Sequence, residues 1–139
     1  MEYKIIDRDK EVIRLYRNYY PDAVVSLAKT KLFFVAIDDG KYIAASALAK
    51  NGRDWTFGHN VVHGDYQGKG FFNTFRVEKL KYLIEETNAR WFQFTYFNHP
   101  ADFYESIGFK CQESINKKDK MYTYRQAVRR IDLDKLWKI

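Results

Sequence analysis

Four residues, Gln67-Gly68-Lys69-Gly70, constrain this chain more than any others. They separate a strand-like run that ends at Val61-Val62 from a helical pattern that opens at Phe71. A strand, a glycine turn and a helix in that order make an anion-binding corner. Glycine lets backbone N–H groups come close to a ligand, and the first helical turn adds unpaired N–H donors and the positive end of its dipole. A pyrophosphate suits such a corner.

Two common pyrophosphate sites are excluded by spacing. The P-loop needs four residues between its glycines and a Ser or Thr after the lysine to hold magnesium. Here Gly64 and Gly68 enclose three residues, and Gly70 follows Lys69. A dinucleotide fingerprint needs a third glycine where this chain has Asn73.

Gln67 to Phe71 instead resembles the acetyl-CoA motif of the GNAT superfamily of N-acetyltransferases, R/Q-x-x-G-x-G/A. The preceding Val62-His63-Gly64-Asp65-Tyr66 is similar to the strand end and turn that lead into it. Downstream, Phe103-Tyr104-Glu105-Ser106-Ile107-Gly108-Phe109 resembles the F-Y-E-x-x-G-F of the same family. The two motifs are separated by one helix and one strand, in the family's order, and the resemblance covers about residues 53–125. At the last position of the first motif Phe72 replaces Gly or Ala, so its side chain is expected to turn into the core or to displace the helix start. The family often has an Asn seven residues before the tyrosine; Asn98 lies six before Tyr104.

The resemblance implies direct transfer of an acetyl group from acetyl-CoA to an amine, both bound at once, without a covalent enzyme intermediate. It implies that Gln67 and the backbone amides of Gly68, Lys69, Gly70, Phe71 and Phe72, with Asn73 beyond them, hold the pyrophosphate. Val61 and Val62 would pair with the pantetheine arm and polarise the acetyl carbonyl, Asn98 would contact the same arm, and Tyr104 would give its proton to the departing sulfur. Many relatives use a glutamate base on one of two central strands. Neither Asp54–Val62 nor Trp91–Phe97 contains one, which leaves His59 as the foremost titratable candidate, with His63 and Asp54 behind it.

At 139 residues the chain is expected to form one domain. No apolar run reaches the length of a membrane span and Met1-Glu2-Tyr3-Lys4 is unlike a secretion signal, so no membrane partner and a cytoplasmic location are expected. One cysteine, Cys111, excludes an internal disulfide, and the three histidines lack ligand spacing, so no metal is expected. The formal charge is +6, with much of the excess in Lys117-Lys118, Lys120, Arg125, Arg129-Arg130, Lys135 and Lys138. That cluster reads as a solvated surface or as a contact for an acidic macromolecule. The acceptor is therefore left open among a protein amine, a small amine and nucleic acid. A non-catalytic acyl-CoA-binding or interaction module of the same fold is the alternative.

Pattern and turn residues predict a strand over Tyr3–Asp7 and a helix capped by Asp9. A second short helix over Asp22–Lys29 follows, then strands over Lys31–Ile37 and Tyr42–Lys50 joined by a tight Asp-Gly turn. Strand Asp54–Val62 leads to a helix from Phe71 to about Thr87. Strand Trp91–Phe97, a short helix Pro100–Ile107, strands Phe109–Ser114 and Lys120–Arg125 and an amphipathic tail complete the chain. The result is an α/β chain with a mixed, central sheet flanked by helices, which is also the order of the GNAT fold. In the long helix Phe72, Val77, Leu80, Leu83 and Ile84 share an arc of roughly 140° and are expected to cover the sheet. Phe71, Phe75 and Tyr82 form another row, expected to pack within the chain under a loop, with a subunit contact in a homodimer as the alternative.

Overall fold

The structure is a computed structural model and describes residues 1–97, 102–112 and 121–139. Its elements are β1 (Glu2–Asp7), α1 (Lys10–Tyr19), β2 (Leu32–Asp38), β3 (Lys41–Asn51), β4 (Asp54–Val62), α2 (Phe71–Glu86), β5 (Trp91–Phe97), α3 (Asp102–Ser106), β6 (Lys110–Gln112), β7 (Met121–Ala127) and α4 (Leu133–Trp137). The strands form one seven-stranded mixed sheet in the order β1-β2-β3-β4-β5-β7-β6. Among the described residues only β4 and β5 pair in parallel, with α2 as their crossover. None of the described helices is long and apolar enough to cross a membrane.

Local chemistry sets these boundaries. Asp9 caps α1 by accepting from the Val12 N–H at 2.8 Å, and its other carboxylate oxygen accepts from the Tyr42 hydroxyl at 2.7 Å. Asp39 and Gly40 both take positive φ, 50° and 75°, which closes the β2–β3 hairpin. The sheet alternates its side chains between two cores. On one face α1 buries Val12, Leu15 and Tyr16 against Phe33, Val35, Ala45 and Val61. On the other, α2, α3 and α4 bury Phe75, Leu80, Tyr104 and Leu136 against Phe34, Ala44, Phe57 and Phe94.

Two expectations are corrected. Residues 22–29 do not form an α-helix: a 3-10 turn at Pro21–Ala23 is followed by further turns, closed largely by short bonds such as Val24 N–H to the Pro21 carbonyl at 3.1 Å. Only Ala23 and Leu27 are fully buried there while Val25 is 86% exposed, so burial adds little to hold further helical turns. The buried side of α2 is also different. Phe75, Val77, Lys79, Leu80 and Leu83 face inward, while Phe72 and Ile84 are half-buried. Phe75 sits 5.3 Å and Tyr82 5.5 Å from Phe34, and Phe71 lies 5.7 Å from Tyr66, so the aromatic row packs within the chain. The tail does the same: Leu136 is buried in the α2 core, and Lys81 Nζ lies 5.8 Å from the Trp137 ring.

Candidate active site

The parallel pairing of β4 and β5 runs from Asp54↔Trp91 to Phe57↔Phe94 and stops. Beyond Phe57 the strands separate. Opposite the gap, β4 gains one residue on β3, since Ala45 pairs with Val61 but Ala47 with Gly58. Such a bulge bends its strand and unpairs backbone groups locally. His59 takes φ 49° within it, and its carbonyl accepts from the Tyr16 hydroxyl at 2.7 Å rather than from a neighbouring strand. Into the gap opens a cleft of about 530 Å³ lined among others by Tyr20, His59, Asn60, Phe94, Thr95 and Tyr104.

Val61 and Val62 end β4 and face opposite ways. The His63 N–H donates to the Ile43 carbonyl at 2.8 Å, and the alternation of an antiparallel ladder then turns the backbone of Val62 toward the gap and that of Val61 toward β3. The Val61 side chain is buried under α1.

The glycine loop follows. Gly68 and Gly70 take φ of 73° and 76°, a region that a side chain at either position would strain, and neither has a heavy atom within 4 Å of where a Cβ would sit. The loop is anchored on both sides: the Tyr66 hydroxyl donates to Asp38, and Gln67 Nε2 donates to the Val62 carbonyl at 2.7 Å. Gly70 is the residue before α2, whose first turn has neither a side-chain cap nor an acidic residue. Its leading N–H donors are thus left for an anion. Val62, Gln67, Gly68, Gly70, Phe71, Phe72 and Asn73 all line a cavity of about 370 Å³, whereas Lys69 lies outside that lining and is exposed. Phe72 neither displaces the helix, which starts at Phe71, nor enters the core; it is half-buried and lines this cavity and the larger cleft alike.

Tyr104 reaches the cleft from α3 and is fully buried. Its ring packs 4.1 Å from Phe94 and 5.4 Å from Phe109. The rest of its motif builds this placement. Glu105 accepts from the Tyr124 hydroxyl at 3.1 Å, Ile107 enters the core, and Gly108 turns the chain at φ 107°, where a Cβ would press on the Arg130 carbonyl at 3.1 Å. The C-terminal segment holds the turn through the Asp132 N–H to the Ile107 carbonyl, 2.9 Å, and Gln126 Nε2 to the Gly108 carbonyl, 2.6 Å. Arg76 bridges α2 to α3, its guanidinium 4.8 Å from Phe103, 5.5 Å from Tyr104 and 5.3 Å from Phe72.

The base candidates separate clearly. His59 is exposed, lines the cleft and lies 6.4 Å from the Tyr20 ring. His63 is committed elsewhere: Nδ1 accepts from the Asp65 N–H at 3.1 Å, so the neutral ring carries its proton on Nε2, which meets the Tyr19 hydroxyl at 3.0 Å. Asp54 lies at the opposite end of β4, 3.7 Å from Arg90. Among the described residues no carboxylate lines the cleft and no three His, Cys, Asp or Glu side chains gather as a metal site. Asn98 lies outside the described residues.

Sequence reading missed the contribution of α2 and β3 to the bulge. Lys79 is fully buried, and its Nζ donates to Ser46 Oγ and Asn60 Oδ1, both at 3.1 Å. Burial, then the neighbouring Arg76, pushes its pKa down to about 7. A signal was available, because Phe75, Lys79 and Leu83 fall four residues apart on one helical row.

No protein-family model matches the sequence, and no curated protein matches it. Solved structures do match. An acyl-CoA N-acyltransferase from Pseudomonas aeruginosa superposes with a TM-score of 0.72 at 12% identity, over 91% of this chain and 99% of that one. A structure assigned to the GNAT family, from Desulfovibrio desulfuricans, gives 0.65 at 13% identity over 91% and 99%. The chain has the GNAT fold. An aminoglycoside 6'-N-acetyltransferase complexed with coenzyme A gives 0.61 at 13% identity, over 89% and 96%. At such identities the likeness is one of fold. In this version of the GNAT fold, the glycine loop and the tyrosine helix lie on either side of the gap between β4 and β5.

Proposed function

We propose that this protein is an N-acetyltransferase that passes an acetyl group from acetyl-CoA directly to a primary amine. The observation that carries the reading is a pair of cavities that share Phe72 as a lining residue. One is rimmed by left-handed glycines and an open helix N-terminus, and the other holds a buried tyrosine. An elongated ligand with a pyrophosphate at one end and a reactive group at the other fits that pair. Phosphate oxygens would meet the amides from Gly68 to Asn73, and the amide-bearing arm would add to the edge of β4 at Val62.

Acetyl-CoA supplies the thioester, whose carbonyl carbon is the electrophile. The chain's own groups handle protons and charge. His59 or a water beside it takes the proton that an ammonium must lose before its nitrogen can attack. The C–N bond forms as the C–S bond breaks, and an N–H turned into the gap stabilises negative charge on the carbonyl oxygen, an effect worth about 3–4 kcal/mol for one well-placed donor. The nitrogen sheds its second proton to solvent as the amide forms, while Tyr104 gives its hydroxyl proton to the leaving sulfur and recovers one from solvent. The net products are an amide, a thiol and a proton.

A second reading, a non-catalytic acyl-CoA-binding module, draws on the lack of a carboxylate among the described lining residues of the cleft. Calorimetric titration with acetyl-CoA and CoA, followed by thiol release over a panel of peptide, polyamine, amino-sugar and nucleic-acid amines, separates the two. Binding with turnover supports the enzyme, binding without turnover supports the module, and no binding at millimolar CoA sinks both. In the same panel, the exposed Arg129 and Arg130 make salt-dependent binding the mark of an acidic macromolecular acceptor.

A further inference from the structure

We propose that Lys79 is a positioning residue that fixes the β4 bulge from beneath, through Asn60 and Ser46, and so sets where the strand edge meets the transferred group. The kinetic part of this proposal rests on the acetyltransferase reading; the structural part does not.

The bulge needs holding because its own ladder is broken. It gains one residue on β3 between Gly58 and Val61, and past Phe57 it has lost β5 as a neighbour. A strand segment in that state drifts unless side chains replace the missing ladder bonds. Two helices supply them from opposite faces. From α1, the Tyr16 hydroxyl takes the His59 carbonyl at 2.7 Å. From α2, Lys79 Nζ takes Asn60 Oδ1 at 3.1 Å and Ser46 Oγ at 3.1 Å, while Ser46 Oγ donates to the Gly58 carbonyl at 3.3 Å. The lysine thus ties β3 to β4 where their register slips.

Packing alone does not explain a lysine here. Its side chain is fully buried, no ion pair involves it among the described residues, and the face it adjoins is the Phe57 ring at 4.4 Å. A buried cation without a carboxylate opposes folding, so a thioether or alkyl chain of the same length would serve packing better. What an alkyl chain lacks is a donor. An amine and an ammonium both carry enough hydrogens for the two bonds, so the link survives a change of charge. Asn60 also lines the cleft, which places the far end of this link at the reaction site. Because α2 begins at the glycine loop, one helix both frames the anion cradle and holds the bulge.

The test is Lys79→Met, which keeps an apolar stem out to Cε and removes the donor. Three quantities are read: thermal midpoint, amide hydrogen exchange of residues 59–62 without ligand, and kinetics with acetyl-CoA and the best amine of the panel. The expected result is a midpoint unchanged or raised, exchange accelerated at 59–62 but not in β2 or α1, and a kcat lower by about tenfold to a hundredfold with acetyl-CoA affinity held. Asn60→Ala is expected to accelerate the same amides, and the double variant to add little to either single one. Unchanged exchange at 59–62 in a folded Lys79→Met overturns the proposal, as does a uniform rise in exchange with a lowered midpoint, the mark of a merely structural lysine. Should Lys79→Met not fold, Ser46→Ala decides by the same local exchange. Exchange needs neither acetyl-CoA nor turnover, so a chain that acetylates nothing still tests the link.

Discussion

Gln67 gives its side-chain amide to the carbonyl of Val62 at 2.7 Å, which ties the glycine loop to the strand edge that faces the gap. The glycine loop and the strand edge proposed to take the ligand's arm are thereby held at a fixed spacing by one side chain five residues from its partner. A carbonyl has two lone pairs, so Val62 can still accept from a ligand.

Replacing Gln67 with Ala should therefore weaken acetyl-CoA without unfolding the chain. A neutral hydrogen bond contributes about 0.5–1.5 kcal/mol, which corresponds to a loss of roughly twofold to tenfold in affinity. Calorimetry reads the loss directly. A much larger loss for Gln67→Glu than for Gln67→Leu would point instead to direct contact with the ligand's negative charge.

Gly70 separates backbone strain from ligand repulsion. With φ 76° and open space around the Cβ position, Gly70→Ala meets a dihedral penalty of about 1–2 kcal/mol and no clash. Gly70→Asp should lower the thermal midpoint by a similar amount but reduce CoA affinity far more, because it sets a carboxylate at an open helix N-terminus. Equal affinities in the two variants would remove the pyrophosphate from this loop.

Where backbone chemistry is local, the sequence was readable. Asp9 caps α1, Asp39-Gly40 turns the first hairpin, and α2 starts at Phe71 directly after its left-handed glycine. The glycine positions of the candidate site were readable for the same reason, since Gly68, Gly70 and Gly108 each take a positive φ. What depends on partners was not. The bulge at Gly58–Val61 exists only against β3, and Phe75 is buried because Phe34 lies beneath it. Apolar residues on most sides of α2 leave periodicity without a preferred face, and a lysine within that row reads as solvated until the strand below supplies Ser46 and Asn60.

Tyr104→Phe should cut kcat by about a hundredfold or more while acetyl-CoA affinity stays within a few-fold, the signature of a proton transferred only in the transition state. The ring packing against Phe94 and Phe109 is kept in this variant, so the fold should persist. Steady-state kinetics with matched calorimetry checks both halves. A kcat equal to that of the parent protein would return Tyr104 to a packing role.

Stability should rise with pH through a window set by Lys79. Its folded pKa lies near 7, against an ordinary value of 10.5, mainly through burial and secondarily through Arg76. Between those values the unfolded chain holds a proton that the folded chain lacks, and stability climbs wherever the unfolded state binds more protons. At higher pH the sign reverses. Burial, then the hydrogen bond to Asp9, pushes Tyr42 up to about 12, and burial raises Tyr16 as well, so the folded chain keeps protons that the unfolded chain releases. Denaturant unfolding of the parent protein and of Lys79→Met at pH of about 6.5, 8 and 9.5 isolates the lysine, because the tyrosines and surface groups titrate alike in both. The stability of the parent protein relative to the variant should increase steadily across that series. A difference that stays flat would mean that Lys79 keeps its proton in the folded chain, and the two hydrogen bonds to Ser46 and Asn60 would then be those of a buried ammonium throughout.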